Sequence, residues 1–190
     1  MGAINIKINS ATKYVLLYGE SGVGKTLLQY CMQSNFNDFD QIEQTAGVNY
    51  EEVEVKGVNM GIFDCPGDIM QYEMCDIIGK CVSIEGIIFV VSLERINELD
   101  KARDRLKLIV NNKHIKKGIS LLVIYNFKAN MADKFWMGES LLDYRMKLDK
   151  YKQKYNLSFV KSIMCDVNMN NINDSKLYTV FEEFVQSMDK

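Results

Sequence analysis

The chain has little of several things, and each shortage excludes something. It holds one proline (Pro66) and one histidine (His114). No apolar run approaches the ~18 residues a membrane-spanning helix needs. Neither sign of charge dominates, since 23 basic against 25 acidic side chains give a formal net charge of −2. A protein held to nucleic acid by a broad basic face would carry a positive excess, so that class is set aside. The five cysteines (Cys31, Cys65, Cys75, Cys81, Cys165) are odd in number, scattered and without a C-x-x-C pair. That argues against a disulfide framework or a zinc site and fits a reducing, cytoplasmic setting. His114 has no visible partner for catalysis. No internal repeat and no Pro/Gly/Ser linker gives a second domain a place to begin.

What is present is an alternation of two periods. Strand-like apolar runs lie at 14–18, 48–55, 58–63, 87–91, 119–125 and 157–164, with helix-like stretches near 25–34, 69–80, 95–112, 139–152 and 174–187. Gly57 with Asn59 reads as a tight hairpin, the one antiparallel pair. The other runs are rich in Val, Ile and Leu on both faces, as strands covered by helices on either side should be. The pattern predicts a single-domain α/β fold: a six-stranded, mostly parallel sheet with one antiparallel edge strand and helices on both faces. Residues 1–12 read as an N-terminal extension, in which Ile4, Ile6 and Ile8 alternate like a strand, and 13–190 as the domain. Ligands of such sheets gather beyond the carboxyl ends of the strands, here Tyr18, Phe63, Val91, Tyr125 and Met164.

The first run leads into Gly19-Glu20-Ser21-Gly22-Val23-Gly24-Lys25-Thr26, a complete G-x-x-x-x-G-K-[ST] ahead of a helical stretch. Glycines at these positions let backbone N–H groups turn inward around a phosphate. Lys25 is then placed to reach β/γ oxygens, and the Thr26 hydroxyl to ligate Mg²⁺. A carboxylate ending one strand (Asp64) and a hydroxyl on a loop (Thr45) can complete an oxygen shell with Thr26.

The stretch that follows resembles a known family. Gln44-Thr45-Ala46-Gly47-Val48-Asn49 echoes the T-x-G-x-N run of the ADP-ribosylation-factor-like small GTPases. Phe63-Asp64-Cys65-Pro66-Gly67-Asp68 looks like their D-x-x-G segment, and Gly86-Ile87-Ile88-Phe89-Val90-Val91 is similar to their fourth strand. The resemblance implies a GTP/GDP-binding switch that uses Mg²⁺. Glu20 to Thr26 would cradle phosphates. Thr45 would offer its hydroxyl to the metal and its N–H to the γ-phosphate, Asp64 would hold a metal-bound water, and the Gly67 N–H would sense the γ-phosphate. Asn126, Phe127 and Lys128 would lie at the base, with Cys165 and Asp166.

The sequence departs from the family at three places. The glutamine that orients the attacking water is replaced by Asp68, whose charge repels a γ-phosphate and whose reach is one methylene shorter. The guanine-reading N-K-x-D becomes Asn126-Phe127-Lys128-Ala129, so the carboxylate that accepts two hydrogen bonds from guanine is missing. Phe127 reads equally as a base-stacking ring and as core packing. The last motif is Cys165-Asp166-Val167, which brings an acidic side chain toward the base.

Other features are set aside. M-G-x-x-x-[ST] fails at Ile6, and the final residues lack the cysteine that prenylation needs. Lys113, Lys116 and Lys117 suit a helix end. Methionines such as Met60, Met74 and Met137, with Met70 and Met131, read as core filler. The expectation is a small-GTPase-like switch with slow intrinsic hydrolysis (catalytic candidates Lys25, Thr45 and Asp68), in membrane traffic or related regulation. Its partners would be guanine nucleotide and effector or regulatory proteins, and its place cytoplasmic or peripheral to membranes. Two alternatives are a non-cycling binding module of the same fold and a P-loop enzyme for another nucleotide. The second lacks a lid-like cluster among Arg95, Arg103, Arg105 and Arg145.

Overall fold

The computed structural model describes residues 11–32, 47–67, 71–127, 137–167 and 176–189. Its six strands are β1 (Lys13–Tyr18), β2 (Asn49–Val55), β3 (Val58–Asp64), β4 (Ile84–Ser92), β5 (Ser120–Asn126) and β6 (Phe159–Cys165). They form one sheet in the order β2-β3-β1-β4-β5-β6. Only β2 runs antiparallel, pairing with β3 from Asn49↔Asp64 to Val55↔Val58. The α/β sheet expected from the sequence is therefore the one observed.

Period-2 alternation builds two cores, one on each face. Val15 and Leu17 of β1 join Ile62, Ile88 and Ile124 under α1 (Lys25–Cys31) and α6 (Lys176–Ser187). Leu16 and Tyr18 join Phe63, Phe89 and Tyr125 on the opposite face. That face is covered by α2 (Gln71–Cys81), α3 (Leu99–Val110), α4 (Glu139–Met146) and α5 (Leu148–Lys154). Helix α6 buries Leu177, Val180, Phe181, Phe184 and Val185, the i, i+3, i+4, i+7, i+8 stripe of an amphipathic helix.

Three expectations need correction. The hairpin turn is Lys56-Gly57, both at positive φ (52° and 78°), and Asn59 lies inside β3. Two residues at positive φ give a turn whose twist matches its strands. The helix expected over 95–112 starts at Leu99, because Leu93–Glu98 forms a 3-10 segment kinked at Arg95 (φ −113°, ψ 44°). The stretch 139–152 is two helices, broken where Lys147 adopts a left-handed φ of 59°. The alternating isoleucines at 4, 6 and 8 lie outside the described residues, as does all but the last part of the extension 1–12.

Candidate functional site

The carboxyl ends of β1, β3 and β5 converge on the loop between β1 and α1. Tyr18 ends β1, and six residues later Gly24 turns the chain into α1 at φ 96° and ψ 19°. A side chain at Gly24 is excluded twice over, by that left-handed φ and by Asn126 Nδ2, 2.6 Å from where a Cβ would stand. The loop is thus a backbone cradle.

Lys25 is buried at 6% exposure, with its Nζ donating to the carbonyls of Gly19 (3.0 Å) and Glu20 (2.8 Å). Burial lowers its affinity for a proton, and the negative charge of Asp64 partly offsets this. A buried ammonium resting on two neutral carbonyls is a site an anion would complete. Beside it, the Thr26 hydroxyl donates to Asp64 Oδ2 at 2.5 Å, and Asp64 itself is fully buried at the end of β3. A hydroxyl and a carboxylate side by side are hard oxygen donors of the kind Mg²⁺ takes, together with water and phosphate oxygens. Among the described residues no three acidic, Cys or His side chains cluster as a metal cage. Both groups therefore fit: Lys25 and the loop amides would hold phosphate, and Thr26 with Asp64 would hold the metal.

Gly67 packs on this loop. Its carbonyl accepts from the Ser21 N–H at 3.1 Å, and a Cβ there would stand 2.2 Å from that nitrogen. Only glycine fits so close an approach. Asn49 Nδ2 donates to Gln29 Oε1 (3.1 Å), and Gln29 Nε2 donates to the Ile62 carbonyl (3.3 Å), which ties the start of β2 to α1 and β3.

At the end of β5, the Asn126 side chain holds two loops together. Its Nδ2 donates to the Val23 carbonyl at 2.9 Å, and its Oδ1 accepts from the Val167 N–H at 3.1 Å. The Phe127 N–H donates to the Cys165 carbonyl at 3.1 Å, and the half-buried Phe127 ring packs against the core cluster that contains Tyr125 and Met137. Asp166 and Cys165 are both buried, and burial pushes the Cys165 thiol up to about 12. Of the sequence-derived site residues, Glu20 to Thr26, Asp64 and Gly67 are brought together here. Asn126 meets the same loop, with Phe127, Cys165 and Asp166 next to it. Thr45, Asp68 and Lys128 lie outside the described residues, as do Met70 and Met131.

Two features escaped the sequence reading. Gln71, at the start of α2, is 1% exposed and donates from Nε2 to the Gly19 carbonyl at 2.9 Å, while its Oε1 accepts no hydrogen bond among the described residues. Glu20 gathers three cations: Arg105 Nε at 3.2 Å, Lys101 Nζ at 3.3 Å and Arg95 Nη1 at 3.8 Å. Two of the four arginines thus meet at the phosphate loop, which their sequence spacing did not reveal. His114 does have a neighbour, Asp76 at 3.8 Å, and it is no part of this site.

A six-stranded sheet of this order, with a G-x-x-x-x-G-K-[ST] loop at the carboxyl end of its central strand, defines the class of the P-loop small GTPases. The sequence matches the ADP-ribosylation factor family over residues 3–184, and the chain belongs to that family. Among solved structures, it is similar to the Arl6 BBS3 small GTPase from Trypanosoma brucei with bound nucleotide analogue GppNp. That match has 16% identity and a TM-score of 0.73, covering 94% of this chain and 98% of that one. It is also similar to the mammalian SRP receptor, at 18% identity and a TM-score of 0.70, covering 90% of this chain and 100% of that one. At such identities the likeness is one of fold. A search of curated proteins finds no significant match.

Proposed function

We propose that this chain is a guanine-nucleotide switch with slow intrinsic hydrolysis and weakened selection for guanine. The observation that carries the reading is the buried Lys25 beside the Thr26–Asp64 pair, a cation and two oxygen donors at the mouth of a backbone cradle. Lys25 and the loop N–H groups would bind the β- and γ-phosphates, and Thr26, Asp64 and Thr45 would hold Mg²⁺. When bound, the metal neutralises charge on the phosphates. The Gly67 N–H and Thr45 would sense the γ-phosphate, so the segments that carry them change order with the nucleotide and effector or regulatory proteins read the difference. Asp68 stands where a neutral water-positioner is expected, and its charge slows attack on the γ-phosphate. Lacking a carboxylate at Ala129, the base pocket would discriminate guanine from adenine by less than about a hundredfold. We place the protein in the cytoplasm or peripherally on membranes, in membrane traffic or related regulation. Among the described residues no helix is long and apolar enough to cross a membrane.

The test is the nucleotide that co-purifies with the protein. After denaturation and chromatography, the reading expects guanine nucleotide in amounts near one per chain. Protein that is folded, nucleotide-free and unresponsive to added GDP or GTP with Mg²⁺ would instead mark a non-cycling module of the same fold.

A further inference from the structure

We propose that Arg95 is a positioning residue of the phosphate loop: its guanidinium polarises the Ser21–Gly22 peptide and so strengthens the loop's grip on phosphate. This rests on the nucleotide-binding reading above. Arg95 Nη2 donates to the Ser21 carbonyl at 2.7 Å, a short, charge-assisted hydrogen bond. That carbonyl and the Gly22 N–H are opposite ends of one trans peptide plane and point away from each other. Positive charge held on the oxygen end draws electron density toward it and makes the N–H end a stronger donor. In a loop of this kind the N–H ends face the phosphates. A cation outside the loop thereby acts on an anion inside it without touching it.

The surrounding structure holds Arg95 in this pose. Arg95 is the kink of the 3-10 segment Leu93–Glu98, at φ −113° and ψ 44°, which interrupts the helical pattern just after β4. Its Nη1 lies 3.8 Å from Glu20 Oε2, so the carboxylate lies on the other arm of the fork. The Glu20 side chain is only 10% exposed and is braced in turn by Arg105 (3.2 Å) and Lys101 (3.3 Å), both on α3. Glu98 Oε2 lies 3.7 Å from Lys101 Nζ and shares that lysine with Glu20, whereas Arg95 alone of the three cations reaches the loop backbone. Lys101 provides a built-in contrast. It joins the same cluster with a side chain 61% exposed, and it makes no hydrogen bond to the loop backbone.

The experiment compares wild type with Arg95→Ala, Arg95→Lys and Lys101→Ala. GDP affinity with Mg²⁺ is measured by calorimetry, and the Gly22 amide by ¹⁵N-resolved NMR of the nucleotide-free proteins, with thermal melts confirming that each variant is folded. Arg95→Ala is expected to weaken GDP binding about tenfold, the scale of one charged hydrogen bond reduced by partial exposure. Arg95→Lys should recover most of that loss, and Lys101→Ala should stay within about twofold of wild type. The Gly22 amide should shift upfield in Arg95→Ala and stay in place in Lys101→Ala, a signature that general loosening would not give. Equal binding by wild type and Arg95→Ala overturns the inference, as does an equal loss in Lys101→Ala, which would leave only bulk charge. Wild type that binds no nucleotide overturns the functional reading and this inference with it, an outcome distinct from the other two.

Discussion

The Thr26 hydroxyl donates to the Asp64 carboxylate at 2.5 Å, joining the first turn of α1 to the last residue of β3. These are two oxygens a divalent cation would claim, held together by the sheet order that sets β3 beside β1. On the proposed reading, this pair is where the metal would bind. Removing Mg²⁺ with a chelator should weaken GDP binding to wild type at least about tenfold, as removal of charge-assisted contacts does. Thr26→Ala should bind GDP at that weaker level with or without Mg²⁺. Titration in excess EDTA and in excess Mg²⁺ checks both.

Hydrolysis should respond to the charge at position 68. Asp68 holds the sequence position of the family's water-orienting glutamine, and on the proposed reading Asp68→Gln would remove a repelling charge and restore a neutral group able to orient water. Its single-turnover rate should rise by about tenfold over wild type, on the scale of 1.4 kcal/mol of relieved repulsion. An equal or slower rate would take Asp68 out of the mechanism.

Base selection should be restorable. Phe127→Lys combined with Ala129→Asp returns the carboxylate that accepts from the guanine edge, and two charge-assisted hydrogen bonds at ~1.5–3 kcal/mol each can raise the GDP-over-ADP preference by a hundredfold or more. In the structure the Phe127 ring leans on the core, so the double variant should also lose about 1 kcal/mol of stability through lost burial. Calorimetric titration with GDP and ADP reads the first effect and urea denaturation the second.

The five thiols should fall into clear classes. All are free, and only Cys81 is exposed. Burial pushes the thiols of Cys31 and Cys165 up to about 11 and about 12, so at pH 8 almost none of either is thiolate. Cys65 and Cys75 are fully buried, with sulfurs 3.5 Å apart. Mapping alkylation by mass spectrometry at pH 8 should find Cys81 modified first and alone. The sign for stability follows from the same shifts. A thiol raised in the fold contributes stability that is complete below its unfolded value near 9 and is lost as pH climbs toward its folded value. Urea midpoints should therefore fall between pH 9 and pH 11.

The sheet and the phosphate loop were legible because both are written locally. Alternating Val, Ile and Leu mark a strand within five residues, and a glycine spacing marks the cradle within eight. The breaks were not legible. Lys147 at φ 59° and the kink at Arg95 interrupt stretches whose apolar spacing continues as if helical, and a side-chain pattern carries no record of one backbone angle. The contacts around Glu20 and Asn126 were hidden for another reason. Arg95, Lys101 and Arg105 reach Glu20 across more than seventy residues, and Asn126 ties Val23 to Val167, so only the folded sheet order brings them together. Family resemblance implied a place at the base for Asn126, and its bonds to the Val23 carbonyl and the Val167 N–H are visible only in the fold.

If Lys25 sits in a working phosphate site, thermal unfolding with and without nucleotide reports it most directly. At a nucleotide concentration one hundred times Kd, binding stabilises a protein by about 2.7 kcal/mol, which for a chain of this size raises Tm by roughly 5–10 °C. Wild type should show that rise with GDP or GTP plus Mg²⁺. Lys25→Ala, measured against its own nucleotide-free baseline, should show none. An equal rise in both proteins, or no rise in wild type, would contradict the account.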